Sequence, residues 1–198
     1  MAAMLGPVVL EGPHVRLEPL RREDAPRLVE AAQDEEIWSW MSSDLRTLPP
    51  LERWIDLALS AQERGEEYPF AVVRRSEGRI IGSTRYMDVQ PTQRGVEIGW
   101  TWYSRDAWGG VVNPEAKYLL LRHAFEEWGA IRVCLKTDGL NVHSQNAIRK
   151  LGATYEGTLR NHRIRRDGTY RHTVMFSIIE SDWPEVKRSL ERRIAELG

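Results

Sequence analysis

Apolar side chains recur at two periods along this chain, two and three to four residues, and the switches between them lay out an ordered series of strands and helices. Val15 and Leu17 alternate in a first strand over residues 14 to 20, and Arg22-Glu23-Asp24 opens a helix that runs to Ala32 with Leu28 and Val29 inside it. Residues 34 to 50, with Trp38, Trp40, Met41 and the pair Pro49-Pro50, fit neither period. They read as an irregular link of the kind that often lines a ligand pocket, ahead of a second helix at about 51 to 64. Three strand-like segments follow, Tyr68 to Arg75, Arg79 to Val89 and Gly95 to Tyr103, and the short breaks between them imply an antiparallel meander. In the last of these, strict alternation would put Val96, Ile98, Trp100 and Trp102 on one face and Glu97, Gly99 and Thr101 on the other. A helix from Pro114 to Trp128 carries one apolar stripe through Ala116, Leu120, Leu121, Ala124 and Phe125. The chain continues as a strand from Ile131 to Thr137, a short helix from about Val142 to Leu151 stopped by Gly152, and two strands joined by an Arg166-Asp167-Gly168 turn. Trp183, Val186, Leu190, Ile194 and Leu197 then mark a last amphipathic helix over 182 to 197. This order predicts an α/β (α+β) fold with a mixed sheet and helices on both faces, built as one domain over residues 1 to 198.

The junction from Ser104 to Lys117 carries the most chemistry. Asn113 suits an N-cap, Pro114 the first helical position and Glu115 the first turn, so a helix start is marked three ways. Gly109 and Gly110 just before it let a ligand approach the backbone, and free N–H groups at a helix start attract phosphate. From this segment alone, a phosphate cradle and a tight strand-to-helix turn stand equal.

Composition removes other classes. The net charge is −1 with no basic run, which disfavours nucleic acid or an anionic membrane as partner. No apolar stretch is long enough to span a bilayer and the first seven residues lack the features of a secretion signal, so a cytoplasmic protein is expected. Cys134 is the single cysteine, and it and the five histidines show no metal-ligand spacing, so no metal is expected.

The order of elements and a set of short segments together resemble the Gcn5-related N-acetyltransferase (GNAT) superfamily, and the second half is similar to its ribosomal-protein N-terminal acetyltransferase (RimJ/RimL-like) branch. The segments are Val96-Glu97-Ile98-Gly99-Trp100, the Trp108-Gly109-Gly110 loop, Glu115-Ala116-Lys117, Leu121-Arg122-His123-Ala124-Phe125, Asn141-x-x-Ser144, Leu151-Gly152-Ala153, Glu156-Gly157-Thr158-Leu159-Arg160 and Asp182-Trp183. The resemblance spans His14 to Trp183 and is densest after Glu97. It implies a mostly antiparallel sheet of about seven strands, splayed between the fourth and fifth, over a core of about residues 14 to 183 with an extra C-terminal helix. It also implies acetyl-CoA as cosubstrate. The pyrophosphate would lie on Trp108, Gly109, Gly110, Val111, Val112 and Asn113. The pantetheine arm would run along Ile98, Gly99, Trp100, Thr101 and Trp102 like an added strand, with Asn141, Ser144 and Ala147 beside it. Two departures stand out: the usual Arg/Gln-x-x-Gly-x-Gly/Ala loop has Trp108, Val111 and Asn113 at its three defining places, and the tyrosine of the wider superfamily is Ile148.

Acetyl transfer to an amine needs a base, a polarised carbonyl and a proton for the leaving thiolate. Glu97 is the candidate base, Ser144 the candidate acid, and Asn141 a cap that also holds a pantetheine amide, as the resemblance implies for all three. Cys134, in mid-strand, is not expected to act as a nucleophile. For the acceptor, Trp38 and Trp40 beside Asp34, Glu35 and Glu36 form a candidate aromatic and acidic wall, with at least one of the two tryptophans expected in the core instead; Arg163 on the last hairpin is a candidate contact, against a simply solvated hairpin, and His172 stands where the branch usually has aspartate. The reaction implied is acetylation of a protein or peptide α-amine by direct attack. The alternatives are a small-molecule amine acceptor, or a non-catalytic acyl-CoA sensor, in a monomer or homodimer. A dinucleotide oxidoreductase is disfavoured because the glycine turn comes late, after antiparallel strands.

Overall fold

A computed structural model describes residues 5 to 198. Residues 1 to 4, part of the stretch read above for a secretion signal, lie outside the described residues. Among the described residues, eight strands form one sheet in the order β1-β2-β3-β4-β5-β6-β8-β7: β1 Leu10–Glu11, β2 Val15–Pro19, β3 Tyr68–Arg74, β4 Arg79–Gln90, β5 Gly95–Tyr103, β6 Arg132–Asp138, β7 Thr154–Ile164 and β8 Tyr170–Ile179. The expected seven become eight because the two-residue β1 pairs with β2 at the edge, too short to leave a period in the sequence. The predicted meander is β3, β4 and β5.

The same residues supply five α-helices that flank the sheet: α1 Ala25–Ala31, α2 Leu48–Glu63, α3 Val112–Arg122, α4 Val142–Arg149 and α5 Trp183–Leu197. Pro49 and Pro50 lie in the first turn of α2 rather than in the loop before it, where a missing N–H costs no helical hydrogen bond. α3 begins two residues earlier than the sequence suggests, with Val111 at the capping position, so Asn113 is inside the first turn and caps nothing. Residues His123–Trp128 continue it as a π-helical turn, which ends at Gly129 in the left-handed region.

Two apolar clusters cover opposite faces. α3 and α5 bury Leu119, Leu120, Val186 and Leu190 against Val96, Ile98, Val133 and Phe176; α1 and α2 bury Leu28, Leu51 and Ile55 against Ala71, Val73 and Trp102. That Ile98 and Trp102 belong to opposite clusters overturns the single-face reading of β5. The register with β4 shifts between Arg85↔Gly99 and Ser83↔Trp102, and Trp100 has φ 49°, so a bulge swaps the faces midway.

Glu115, expected only to complement a helix dipole, is a buried tie between layers. Its carboxylate accepts from the backbone N–H of His14 and Val15 and lies 2.6 Å from His14 Nδ1, joining α3 to β2. Among the described residues, no helix is long and apolar enough to cross a membrane.

Candidate active site

Among the described strands, β5 and β6 are the only parallel neighbours, and they pair over three residues alone, Gly95–Glu97 with Arg132–Cys134. Beyond Glu97 the two strands part, while β6 stays paired to β8 as far as Asp138. The result is a wedge, with the backbone of Gly99 to Trp102 on one bank and no ladder partner across it. The bulge at Trp100 also frees that residue from pairing with β4. Because β5 and β6 run the same way, the helices that follow them start at the same edge. Stacking of the Trp108 and His143 rings, with centroids 6.3 Å apart, brings the loop before α3 against the first turn of α4 there.

That loop is fixed at its root and open at its tip. Asp106 accepts from Ser104 Oγ at 2.6 Å and from Arg74 at 2.8 Å, and these bonds hold its carboxyl well below the usual range against the opposing effect of burial. Trp108 Nε1 donates to the Tyr103 carbonyl at 2.9 Å, and the Arg105 guanidinium lies over its ring. Gly109 takes φ 77°, a conformation in which a side chain is strained. Val111, the departure in the loop, has ordinary helical angles of −71° and −21°. A Cβ built on Gly109 or Gly110 meets nothing within 4 Å, so the loop tip borders open space, and no side chain caps the start of α3 that follows it.

Glu97 lies where the wedge opens. It is 5% exposed, and Lys136 Nζ from β6 is 2.7 Å from its carboxylate. Burial raises its carboxyl above the usual glutamate range, with the Lys136 hydrogen bond and charge opposing in part.

A family model for the acetyltransferase (GNAT) domain matches residues 14–154. The chain belongs to the GNAT acetyltransferases. A GCN5-related N-acetyltransferase from Brucella melitensis superposes with a TM-score of 0.89 at 26% identity, over 96% of this chain and 86% of that one. An acetyltransferase structure from T. thermophilus gives 0.84 at 36% identity, over 95% and 97%. Mycobacterium smegmatis RimJ, in complex with CoA-disulfide, shares the fold at 0.81 and 20% identity, over 98% and 97%. A search of curated proteins finds no match. As a GNAT chain, the protein is an acetyl-CoA-dependent N-acetyltransferase.

The residues expected from sequence divide on this GNAT frame. Asn141 Oδ1 accepts from the Ser144 N–H at 2.9 Å, capping α4 and leaving the Asn141 amide nitrogen to donate elsewhere. Ser144 is half-buried and Ala147 lies one turn further along α4. Gly99 has a reason other than room for a ligand arm: a Cβ there would fall 2.6 Å from Met87 Sδ and 3.1 Å from Glu97 Oε1. Cys134 is in mid-strand as expected, yet it is the register partner of Glu97. Burial pushes its thiol above the usual range, which keeps it protonated and a poor nucleophile.

Of the two tryptophans of the candidate wall, one is core, as the packing alternative expected, and the acidic groups are not free. Trp38 is 1% exposed, donates its indole N–H to the Ala32 carbonyl at 2.8 Å and packs against Trp102, so it is core. Trp40 remains exposed. The acidic groups nearby are engaged by the chain itself: Asp34 caps the turn Glu35–Trp38, Glu36 pairs with Arg105 at 2.6 Å, and Asp44 with Arg46 at 2.7 Å. Arg166, at the tip of the β7–β8 hairpin, donates to the Trp38 carbonyl and so ties this loop to the hairpin.

Three groups were given no role from the sequence. Lys136 reaches Glu97 only through the parallel register. Lys117 is buried beneath the β5 bulge, bonded to Thr101 and Thr84. Arg85 is held between the Trp54 and Trp100 rings and pairs with Glu67 through Nη1, while its buried Nε and Nη2 have no hydrogen-bond partner among the described residues.

Proposed function

We propose that this GNAT enzyme acetylates the α-amine of a peptide or protein, as a member of the RimJ/RimL-like branch, with Glu97 as general base. The observation that carries the reading is a buried carboxylate, raised above its usual range, at the point where β5 and β6 separate. Acetyl-CoA supplies an activated thioester. The N–H groups of Gly109 to Asn113 would hold its pyrophosphate, with Trp108 at the loop's root, and the backbone of Ile98 to Trp102 would orient its arm together with Asn141, Ser144 and Ala147. Glu97 takes the proton from the attacking amine, Lys136 keeps that carboxylate ionised, and the backbone N–H at the Trp100 bulge faces the developing negative charge. Ser144, whose hydroxyl makes no hydrogen bond among the described residues, returns a proton to the departing thiolate.

A small-molecule amine is the alternative acceptor. Glu35, Glu36 and Asp44 are already paired with the chain's own arginines and Asp34 caps a turn, which argues against a polyamine type. Calorimetric titration with acetyl-CoA, with dephospho-CoA and NAD as controls, comes first; thiol release is then assayed with N-terminal peptides and small amines. Selective binding followed by turnover that Glu97→Gln and Ser144→Ala suppress supports the reading. Unchanged binding with no turnover for any amine leaves an acyl-CoA sensor instead.

A further inference from the structure

Beyond β5, no helix among the described residues covers the face of the sheet that carries Glu97, and positive charge gathers there. Lys136 touches Glu97, and the nearby charges of Arg163 and Arg171 act on Glu97, on His162 and on each other. Arg163 and Arg171 are direct cross-strand partners on the β7–β8 hairpin. Like charges directly opposite each other destabilise a hairpin unless something neutralises them.

The carboxylates at hand do so only in part. Asp138 is taken by Arg165, which binds it through two nitrogens at 2.7 and 2.9 Å, and Arg171 Nε stays 4.0 Å away. That Nε is buried with no hydrogen-bond partner among the described residues. Arg163 likewise makes no ion pair or hydrogen bond among them. Two guanidinium groups thus stand beside the base with donors to spare, the arrangement that binds a carboxylate by paired N–H bonds.

We propose that the acceptor carries a carboxylate close to its reacting amine, and that Arg163 and Arg171 receive it. The inference rests on the acetyl-transfer reading above and narrows its substrate. Burial lowers the proton affinity of Arg171, and the charges of Asp138 and Glu97 offset this only in part.

The test uses the protein loaded with CoA and two matched pairs of amines. One pair is a C-terminally amidated peptide beginning Ala-Asp against the same peptide beginning Ala-Asn; the other is γ-aminobutyrate against its amide. Calorimetry should show the acid of at least one pair binding about tenfold tighter or more, since a hydrogen bond to a charged group contributes about 1.5–3 kcal/mol. The pair that discriminates names the source, a peptide or a small amino acid. The preference should collapse in Arg163→Gln and Arg171→Gln with acetyl-CoA affinity unchanged; Arg163 is exposed, so its replacement spares the fold. Acid and amide binding alike, binding of neither, or a preference that survives both substitutions overturns the proposal. Failure of the acetyl-transfer reading looks different: the acid binds selectively and yet no thiol is released.

Discussion

Lys117 offers a sharp test of the fold beneath the active site. Its ammonium is 5% exposed, has no carboxylate partner among the described residues, and donates to the hydroxyls of Thr101 and Thr84. Burial lowers its pKa from 10.5 to about 7. Below about pH 7 the folded and unfolded states both hold the proton, so the penalty for burying the charge is fully present. Between about 7 and 10.5 the unfolded chain binds more protons than the folded one, so stability rises with pH. At about 1.4 kcal/mol per pH unit, the gap between 10.5 and about 7 corresponds to about 5 kcal/mol. Lys117→Met removes the titrating group and fills similar space. The hydroxyls of Thr84 and Thr101, 2.8 Å apart, still partner each other. Urea unfolding of both proteins from pH 6 to 10 isolates the effect, because every other titration is common to the two. The variant should be the more stable at pH 6, by up to a few kcal/mol, and its advantage should vanish towards pH 10. A difference that does not change with pH, or a variant less stable at pH 6, would refute the reasoning.

Three further outcomes follow from the same structure. Because burial raises the Glu97 carboxyl and the base must be ionised, kcat/KM should fall as pH drops through a point above the usual 4.5; Lys136→Met should move this acid limb to higher pH, and a limb that stays in place would remove Lys136 from the mechanism. Gly109→Ala forces a side chain onto a left-handed residue and should cost about 1–2 kcal/mol in urea unfolding, whereas Gly110→Ala should leave stability unchanged; both should weaken acetyl-CoA in calorimetry, and full affinity in Gly110→Ala would argue against a ligand in that open space. Asn141→Ala should lose about 1 kcal/mol with the α4 cap, while Asn141→Asp should retain the stability but not the amide donor, separating capping from ligand holding when acetyl-CoA binding is measured alongside.

Local chemistry determined a large share of this protein from sequence alone. The β3–β5 meander, the helix after the glycine pair, the Asn141 cap and the final amphipathic helix were legible because periodicity, turn residues and caps act over a few neighbours. Glu97 was legible as a candidate only through the family resemblance of the strand that carries it. Where a local rule competes with a distant partner, the sequence misleads. Alternation put Trp100 and Trp102 with Ile98, but the bulge against β4 turns them to the other face. Asn113, Pro114 and Glu115 together suggested a helix start capped by Asn113, but the helix starts earlier and has no side-chain cap. Of Trp38 and Trp40 at least one was expected in the core, but which one was decided only by packing on Trp102, which takes Trp38.

The environment of the site was decided by tertiary structure. Lys136 meets Glu97 through a parallel register three residues long, and Arg163 faces Arg171 through a hairpin register that shifts at a bulge. The parallel register is written in no local run of residues, since it is set by how whole faces of the sheet bury against α3 and α5; the hairpin register depends on its turn and on a bulge that left no mark in the sequence. The sequence determined which elements form and which groups are able to react; only the packed sheet decided which charges stand beside the base, because Coulomb forces act across space between residues far apart along the chain.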